Sequence, residues 1–510
     1  MSQINEISKV ELTVQEPRKQ TNWAELLTKV DWKRLFFTLL GIFVFLIIYY
    51  SPPWKAAIDP LGVSFELSRE AKGALALFGL AAVWWVFEVV PIGITSLAIG
   101  ALQALFFIRD PKVAFRDFMD PSVLFIFGSI VIGMVFTKTG LTKRLAYKML
   151  SIIGERTSMI YLGCFVMTAV LTHVMAHTAV AATMFPLLIT IHALYSSEET
   201  PTRFGKGLFI GMAYVAGAGS IVTLLGAARG AVALGFYKDI MDKDIGFFEL
   251  SMYMFPVGWL MVVLLWLFFL VICKPEKERI EGLKERSKKM YIALGIWTRA
   301  ELLTLLIVFS TILLIALKNF IPALSGLDKT GVLLMSTIAF FVLRILDVKD
   351  LEEIPWNIIL LFAGAMSIGF CLWETGAAKW LAVNWLKMFE SSPAIVFILG
   401  MSFFVMIMTN FIMNVAAIAI SLPVALVIAP YLGVAGEVIL FSSLVTAGMP
   451  FLFLVGAAPN AIAYSSQQFT PGEFFLYGIP ASILLMVVVY IAAQFIWPLM
   501  GMEVFVPIAK

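Results

Sequence analysis

The chain has 510 residues, 61% hydrophobic and only 14% charged, with a mean hydropathy of +0.94, a balance that excludes a soluble globular domain and specifies a polytopic membrane protein. A net charge of +3, with no basic cluster interleaved with aromatics, excludes a nucleic-acid partner. Three widely spaced cysteines in apolar surroundings, Cys164, Cys273 and Cys371, exclude a disulfide framework or metal knuckle.

Segment 1–33 is polar, has no short apolar core before a small-residue cleavage site, and reads as a cytoplasmic N-terminal segment rather than a signal peptide. With a span of about 20 apolar residues as the ruler, about eleven crossings follow. The first, Leu35 to Tyr50, belongs to a unit over 34–72 and stops at Pro52-Pro53. Gly73 to Val90 and Ile92 to Phe107 meet at a turn around Pro91. Val123 to about Thr137 is followed by the amphipathic LTKRLAYKML, Leu141 to Leu150, which is expected along the membrane interface.

The stretch Leu171 to Thr190, LTHVMAHTAVAATMFPLLIT, is apolar but interrupted by Thr172, His173, His177 and Thr178. Its flanking runs, Met159 to Val174 and Ala179 to Leu194, are short for full crossings and predict a re-entrant hairpin over about 159–194. Leu208 to about Ala233 is interrupted by GAGS (Gly217 to Ser220) and GAARG (Gly226 to Gly230), which predict an unwound segment. After the crossing Tyr253 to Cys273, the loop 274–299 is the most charged of the chain and is placed in the cytoplasm by its lysines and arginines.

The second half repeats the first. Crossings are expected at Leu302 to Leu317, Val332 to Leu346 and Ile358 to about Leu372, then a second hairpin over about 394–430, a crossing from Val438 to about Tyr464 broken by GAAPN (Gly456 to Asn460), and a last crossing from Phe475 to about Phe495. Thr172, His177 and Pro186 fall opposite Thr409, Asn414 and Pro423. Gly128, Gly133, Thr139-Gly140 and Lys143 match Gly364, Gly369, Thr375-Gly376 and Lys379 at constant spacing. The expected fold class is therefore all-α, with two repeats over 73–273 and 300–500 and a tail over 501–510. Each repeat has an odd number of crossings, so the two should be inverted in the membrane, with hairpin tips meeting near its midplane and the N-terminus cytoplasmic and the C-terminus outside. Half-helix N-termini present unpaired N–H groups and a positive dipole end, and such a site favours anions.

These residues resemble the divalent-anion/sodium symporter family of di- and tricarboxylate transporters over nearly the whole chain. The family's Ser-Asn-Thr signature stands here as Ala176-His177-Thr178 and Met413-Asn414-Val415, and its Gly-Thr-Pro-Pro-Asn type breaks stand as GAARG and GAAPN. The resemblance implies a plasma-membrane homodimer working as an elevator, with a scaffold and a moving transport domain. It implies substrate contacts at Ala176, His177, Thr178, Met413, Asn414, Val415, Gly456, Ala457 and Pro459. Cation or charge-compensating positions follow at Thr172, Gly226, Arg229, Thr409 and Asn460, and no cofactor other than sodium is implied.

The sequence departs from that pattern where His177 replaces Asn and Arg229-Gly230 replaces Pro-Asn. Arginine offers five donors, no acceptor and a permanent charge, so it repels sodium and can take over its charge. Returning such a site empty moves a poorly compensated cation through a low-dielectric barrier, so sodium-independent exchange of one small carboxylate for another is the expected function. The alternative is sodium- or proton-coupled symport by the same fold. Arg229 can instead pair structurally with Asp239 or Glu249. Glu88 and Glu374 read as interfacial. His173 and His177 share a helical face if their segment is continuous, but no third ligand stands near and Val174 occupies the place of a catalytic glutamate, so neither a metal site nor an enzyme is expected.

Overall fold

Polar caps set where the apolar runs begin to coil. Asp31, Ser68 and Thr202 each accept a hydrogen bond from a first-turn N–H, of Arg34, Ala71 and Gly205 respectively, at 3.0, 3.0 and 2.8 Å. Thr470 and Glu473 form a reciprocal capping box. The computed structural model describes residues 31–58, 64–196, 200–317, 321, 324, 326–389, 393–411 and 413–507. The predicted cytoplasmic segment up to residue 30, and residues 508–510 of the predicted tail, lie outside the described residues.

The chain is predominantly α-helical, an all-α polytopic membrane protein, and among the described residues two short strands, β1 (Ala57–Ile58) and β2 (Ser64–Phe65), pair antiparallel. In order come α1 (Trp32–Tyr50), α2 (Arg69–Val86), α3 (Ile92–Leu105), α4 (Pro111–Arg116), α5 (Pro121–Lys138) and α6 (Leu141–Ile153). A hairpin of α7 (Thr157–Thr172) and α8 (His177–Tyr195) follows, then the broken pair α9 (Arg203–Gly219) and α10 (Arg229–Met241), and α11 (Phe247–Ile272). The charged loop holds α12 (Leu283–Ala293). The order then recurs as α13 (Arg299–Leu317), α14 (Lys329–Val342), α15 (Val348–Glu352), α16 (Trp356–Glu374) and α17 (Ala377–Phe389). The second hairpin is α18 (Ala394–Phe411) with α19 (Asn414–Ile428), the second broken pair α20 (Gly436–Ala447) with α21 (Ala458–Tyr464), and α22 (Pro471–Ile491) runs through a π-turn, Ala492–Ile496, into α23 (Trp497–Leu499). The recurrence reaches backbone detail: Gly140 and Gly376 take φ of 78° and 80°, the left-handed turn that redirects the chain from α5 into α6 and from α16 into α17.

Nine helices among the described residues are long and apolar enough to cross a membrane, against the eleven crossings expected. The difference has physical sources. The hairpin arms α8, α18 and α19 reach crossing length, whereas α3, α7, α14 and α20 are apolar but shorter. α2 begins on Arg69, Glu70 and Lys72, and non-helical backbone divides α9 from α10 and α20 from α21. The segment Asn414–Leu432 and α16 form the interior, 78% and 72% buried, while α1 is only 17% buried and turns Leu39, Phe43, Leu46 and Ile47 outward to the hydrocarbon.

Two positions expected at the membrane interface also take part in the ion pairs of buried arginines. Helix α6 does not merely rest on the interface: it packs on α12 and buries Arg144, whose Nε donates to Glu301 Oε1 at 2.7 Å and whose Nη1 donates to the Gly295 carbonyl at 2.9 Å. A buried guanidinium needs that many acceptors, and hydropathy along one helix does not reveal them. Glu374 is likewise more than interfacial, since it takes the guanidinium of the buried Arg109 at 2.6 Å, together with Asp117 at 2.6 Å.

Candidate functional site

The hairpin turns place helix starts, not helix middles, at the polar signature positions. α8 begins at His177 and α19 at Asn414, so the first-turn N–H groups that no carbonyl of their own helix can reach lie at the two tips. Ala176, His177 and Thr178, Met413, Asn414 and Val415, Ala227, Ala228 and Arg229, and Gly456, Ala457 and Ala458 all line one cavity of about 1020 Å³. The facing wall comes from α5, α6 and the start of α16, with Ile126, Met134, Tyr147 and Phe362. Buried Arg229, Asn414 and Val415 mark the closed end, and exposed Glu88, Lys138, Lys143 and Glu353 mark the open end. Glu88, expected at the interface, thus stands on the cavity rim.

At that rim Lys138 pairs with Asp350 and lies 3.7 Å from Asp347. Burial pushes the Asp350 carboxyl up, but hydrogen bonds from the Lys138 ammonium and from the Asp347 N–H, at 2.6 Å, outweigh it and hold the group below its usual 3.8.

The polar groups at the closed end are held from behind. Thr409 is fully buried, and its hydroxyl donates to Asn414 Oδ1 at 2.9 Å and lies 3.0 Å from the Ala447 carbonyl, so the Asn414 amide N–H groups are left for the cavity. Thr178 has no hydrogen-bond partner for its hydroxyl among the described residues, and it faces the cavity. His177 donates its backbone N–H to the Gly226 carbonyl at 3.0 Å and places Nδ1 3.3 Å from the same oxygen.

Arg229 opens α10 and is 2% exposed. Its Nη2 donates to Ser220 Oγ at 2.8 Å, while Nη1 has no partner. Neither Asp239 nor Glu249 lies within ion-pair distance, so the structural pairing considered from the sequence is not formed among the described residues. A Cβ on Gly448 would come within 2.6 Å of Nη2, so the guanidinium reaches from the first helix break to the second, and the breaks themselves touch: a Cβ on Gly217 would sit 2.6 Å from the Gly448 carbonyl oxygen.

The remaining predicted positions stand behind the lining rather than in it. Pro459, expected as a substrate contact, is buried in the first turn of α21 and is not among the residues that line the cavity. Asn460 donates to the Pro450 and Phe453 carbonyls at 2.8 and 3.1 Å, closing the second break. Thr172 donates to the Ala169 carbonyl at 2.6 Å, and Gly226 packs against the Thr172 and Ser220 backbones. His173 and His177 do not share a helical face, because the chain leaves α7 at His173 and re-enters α8 at His177. His173 instead reaches the Gly219 carbonyl at 3.2 Å through Nδ1. Asn410 carries structure that the sequence reading did not single out: its Oδ1 accepts from the N–H groups of Leu452 and Phe453, at 2.8 and 3.3 Å. Its signal was an amide inside an apolar hairpin arm, four residues from Asn414.

Known proteins resemble this chain over almost its full length. It is 23% identical over 465 residues to a sodium-dependent dicarboxylate transporter, SdcS, of Staphylococcus saprophyticus, covering 87% of this chain and 89% of that protein. It is 23% identical over 497 residues to SdcS of Staphylococcus aureus, covering 92% of each. Among solved structures, the Neisseria gonorrhoeae antimetabolite efflux pump MtrF matches with a TM-score of 0.55 at 13% identity, covering 90% of this chain and 93% of that one. The Alcanivorax borkumensis transporter YdaH matches with a TM-score of 0.54 at 12% identity, covering 92% and 98%. These two likenesses are of fold alone. The pattern of the sodium:sulfate symporter transmembrane region runs from residue 33 to residue 503, and the chain belongs to that family of membrane transporters.

Proposed function

We propose that this protein is a secondary active transporter of small dicarboxylates such as succinate, malate or 2-oxoglutarate in the plasma membrane, and that the closed end of the cavity is its substrate site. The observation that carries this is Arg229, a buried guanidinium with one nitrogen unpartnered, set among helix starts and side-chain donors at a cavity wall. Thr178 and Asn414, one on each hairpin tip, are the side chains that bind carboxylate oxygens, with Arg229 supplying the compensating charge. A carboxylate arriving there replaces water with donors already oriented by Thr409, Ser220 and the helix starts.

For coupling, the relatives named sodium-dependent favour symport over the exchange expected from the sequence. The second half supports this with oxygen ligands close together, the Thr409 hydroxyl, Asn414 Oδ1 and the Ala447 carbonyl. Exchange keeps one specific observation in its favour: a fixed cation stands at the first break, and an empty site would carry its charge uncompensated across the membrane.

In this reading the hairpins and broken helices travel as one body, since α9 packs on both α8 and α21, and α10 on α19. They move against a scaffold that includes α1 to α3 and α16, in a homodimer with inverted repeats, a cytoplasmic N-terminus and an outer C-terminus. Uptake of labelled succinate into proteoliposomes, with and without internal unlabelled dicarboxylate and crossed with sodium, potassium and proton gradients, tests it. Sodium-driven uptake into empty vesicles establishes symport; uptake that needs internal dicarboxylate and ignores sodium establishes exchange; no uptake or counterflow of any dicarboxylate overturns the assignment.

A further inference from the structure

We infer that His177 presents a hydrogen-bond acceptor, not a donor, to the substrate, and that the site therefore selects dicarboxylates bearing a hydroxyl next to a carboxylate over those with an unsubstituted chain. The inference rests on the reading of this cavity as a dicarboxylate site and adds to it the chemistry at one position.

The argument starts from the Gly226 carbonyl. It lies 3.3 Å from His177 Nδ1, and a carbonyl oxygen has only lone pairs, so the proton of that contact sits on Nδ1. The backbone N–H of His177 donates to the same oxygen at 3.0 Å, which fixes the residue at the start of α8 and limits rotation of the ring. With Nδ1 carrying the hydrogen, Nε2 of the neutral ring carries a lone pair. Nε2 has no hydrogen-bond partner among the described residues, it is not one of their sealed, unpartnered atoms, and His177 lines the cavity, so that lone pair faces the substrate space.

An acceptor is the wrong partner for a carboxylate oxygen and the right one for a hydroxyl. The surroundings give the hydroxyl group's neighbours their own places. Thr178, next along the chain, offers its hydroxyl and an N–H of the first turn of α8 to the adjacent carboxylate, and the buried Arg229 guanidinium behind the wall supplies the compensating charge. The other carboxylate has the Asn414 amide. The nearest neighbours in sequence of the tips and breaks, Ala176, Ala228, Met413, Val415 and Ala457, offer side chains with no polar atom but the methionine sulfur. A keto group at the same carbon brings lone pairs against lone pairs and gains nothing from Nε2.

The test is competition for binding or uptake in proteoliposomes by malate, succinate and 2-oxoglutarate, with lactate as a monocarboxylate control. A single neutral hydrogen bond open to water predicts roughly 3- to 10-fold tighter apparent binding of malate than of succinate. In His177→Phe, which keeps ring size without the acceptor, the two should fall within about twofold of each other, and His177→Gln, which restores an acceptor, should recover part of the difference. Thr178→Val should weaken both to a similar extent. Equal affinity for malate and succinate in the natural protein overturns the inference, and so does a preference that grows as pH falls, since that marks a protonated ring that donates. If no dicarboxylate competes better than lactate, the dicarboxylate reading itself fails and the inference with it. Should His177→Phe not fold, the substrate comparison in the natural protein and in His177→Gln still decides.

Discussion

Three arginines are less than 9% exposed among the described residues, and their surroundings separate structural from functional charge. Arg109 has Asp117 and Glu374, and Arg144 has Glu301 and backbone carbonyls. Arg229 has Ser220 Oγ alone. A guanidinium at this depth without a carboxylate is a cost that the fold does not offset internally, so an anion from outside is the natural complement. Replacing it by a shorter neutral side chain that keeps an N–H donor, Arg229→Gln, should weaken dicarboxylate binding by about 10- to 150-fold, the range for a hydrogen bond to a charged group, while leaving the thermal midpoint unchanged or raised. Equal affinity in the variant would place the anion elsewhere. The charge itself was legible from the sequence, because an arginine inside a Gly-Ala-Ala break at membrane depth has few bland explanations. Its freedom from Asp239 and Glu249 was not, since pairing depends on where the break turns the side chain.

At the scale of elements, the hairpins and breaks were legible for the same reason: glycine, proline and isolated polar residues interrupt apolar runs at matched positions in two halves. Helix lengths were less so. α9 starts at Arg203, five residues before the predicted Leu208, because Thr202 caps it, whereas α8 ends at Tyr195, one residue beyond the predicted Leu194. The contact of one break with the other was not legible at all, since Gly217 and Gly448 are far apart in sequence and close only through the crossing of α9 and the end of α20. That crossing makes a prediction independent of charge. In Gly448→Ala the new methyl would meet Arg229 Nη2 at 2.6 Å and Ile221 Cγ2 at 2.7 Å, so the guanidinium must move although it remains present. Alanine at an α-region φ of −74° is otherwise favourable for the backbone. The expected result is a folded protein with at least about tenfold weaker substrate binding, the scale of roughly 1.4 kcal/mol lost at one charged contact. Unchanged binding would show that the position of Arg229 relative to the second break is immaterial.

For the whole molecule, the cavity is open at one end and closed at the other, with exposed Lys143 and Glu353 at the rim and buried Asn414 and Arg229 at the base. A transporter needs the reverse arrangement at another point of its cycle, and the polar groups at the base are too many to be left facing lipid on the way. The hairpin carrying His177 and Thr178 also carries Thr190, a half-buried residue near the far end of α8 that lines the same cavity. If α8 travels with the substrate site, Thr190 changes from accessible to occluded as it moves. The three native cysteines, Cys164, Cys273 and Cys371, are buried, which leaves a quiet background for labelling. Thr190→Cys should therefore react with a membrane-impermeant thiol reagent from one face of the membrane only, the face of the charged loop 274–299 if the lysines and arginines there mark the cytoplasm. Dicarboxylate, together with sodium if sodium couples, should slow that reaction by letting the hairpin leave this position, while Arg229→Gln should blunt the dicarboxylate effect without changing the rate in its absence. Labelling that is equal from both faces, or a rate indifferent to every dicarboxylate, would mean that the cavity is a fixed feature and that the hairpin does not move with its substrate.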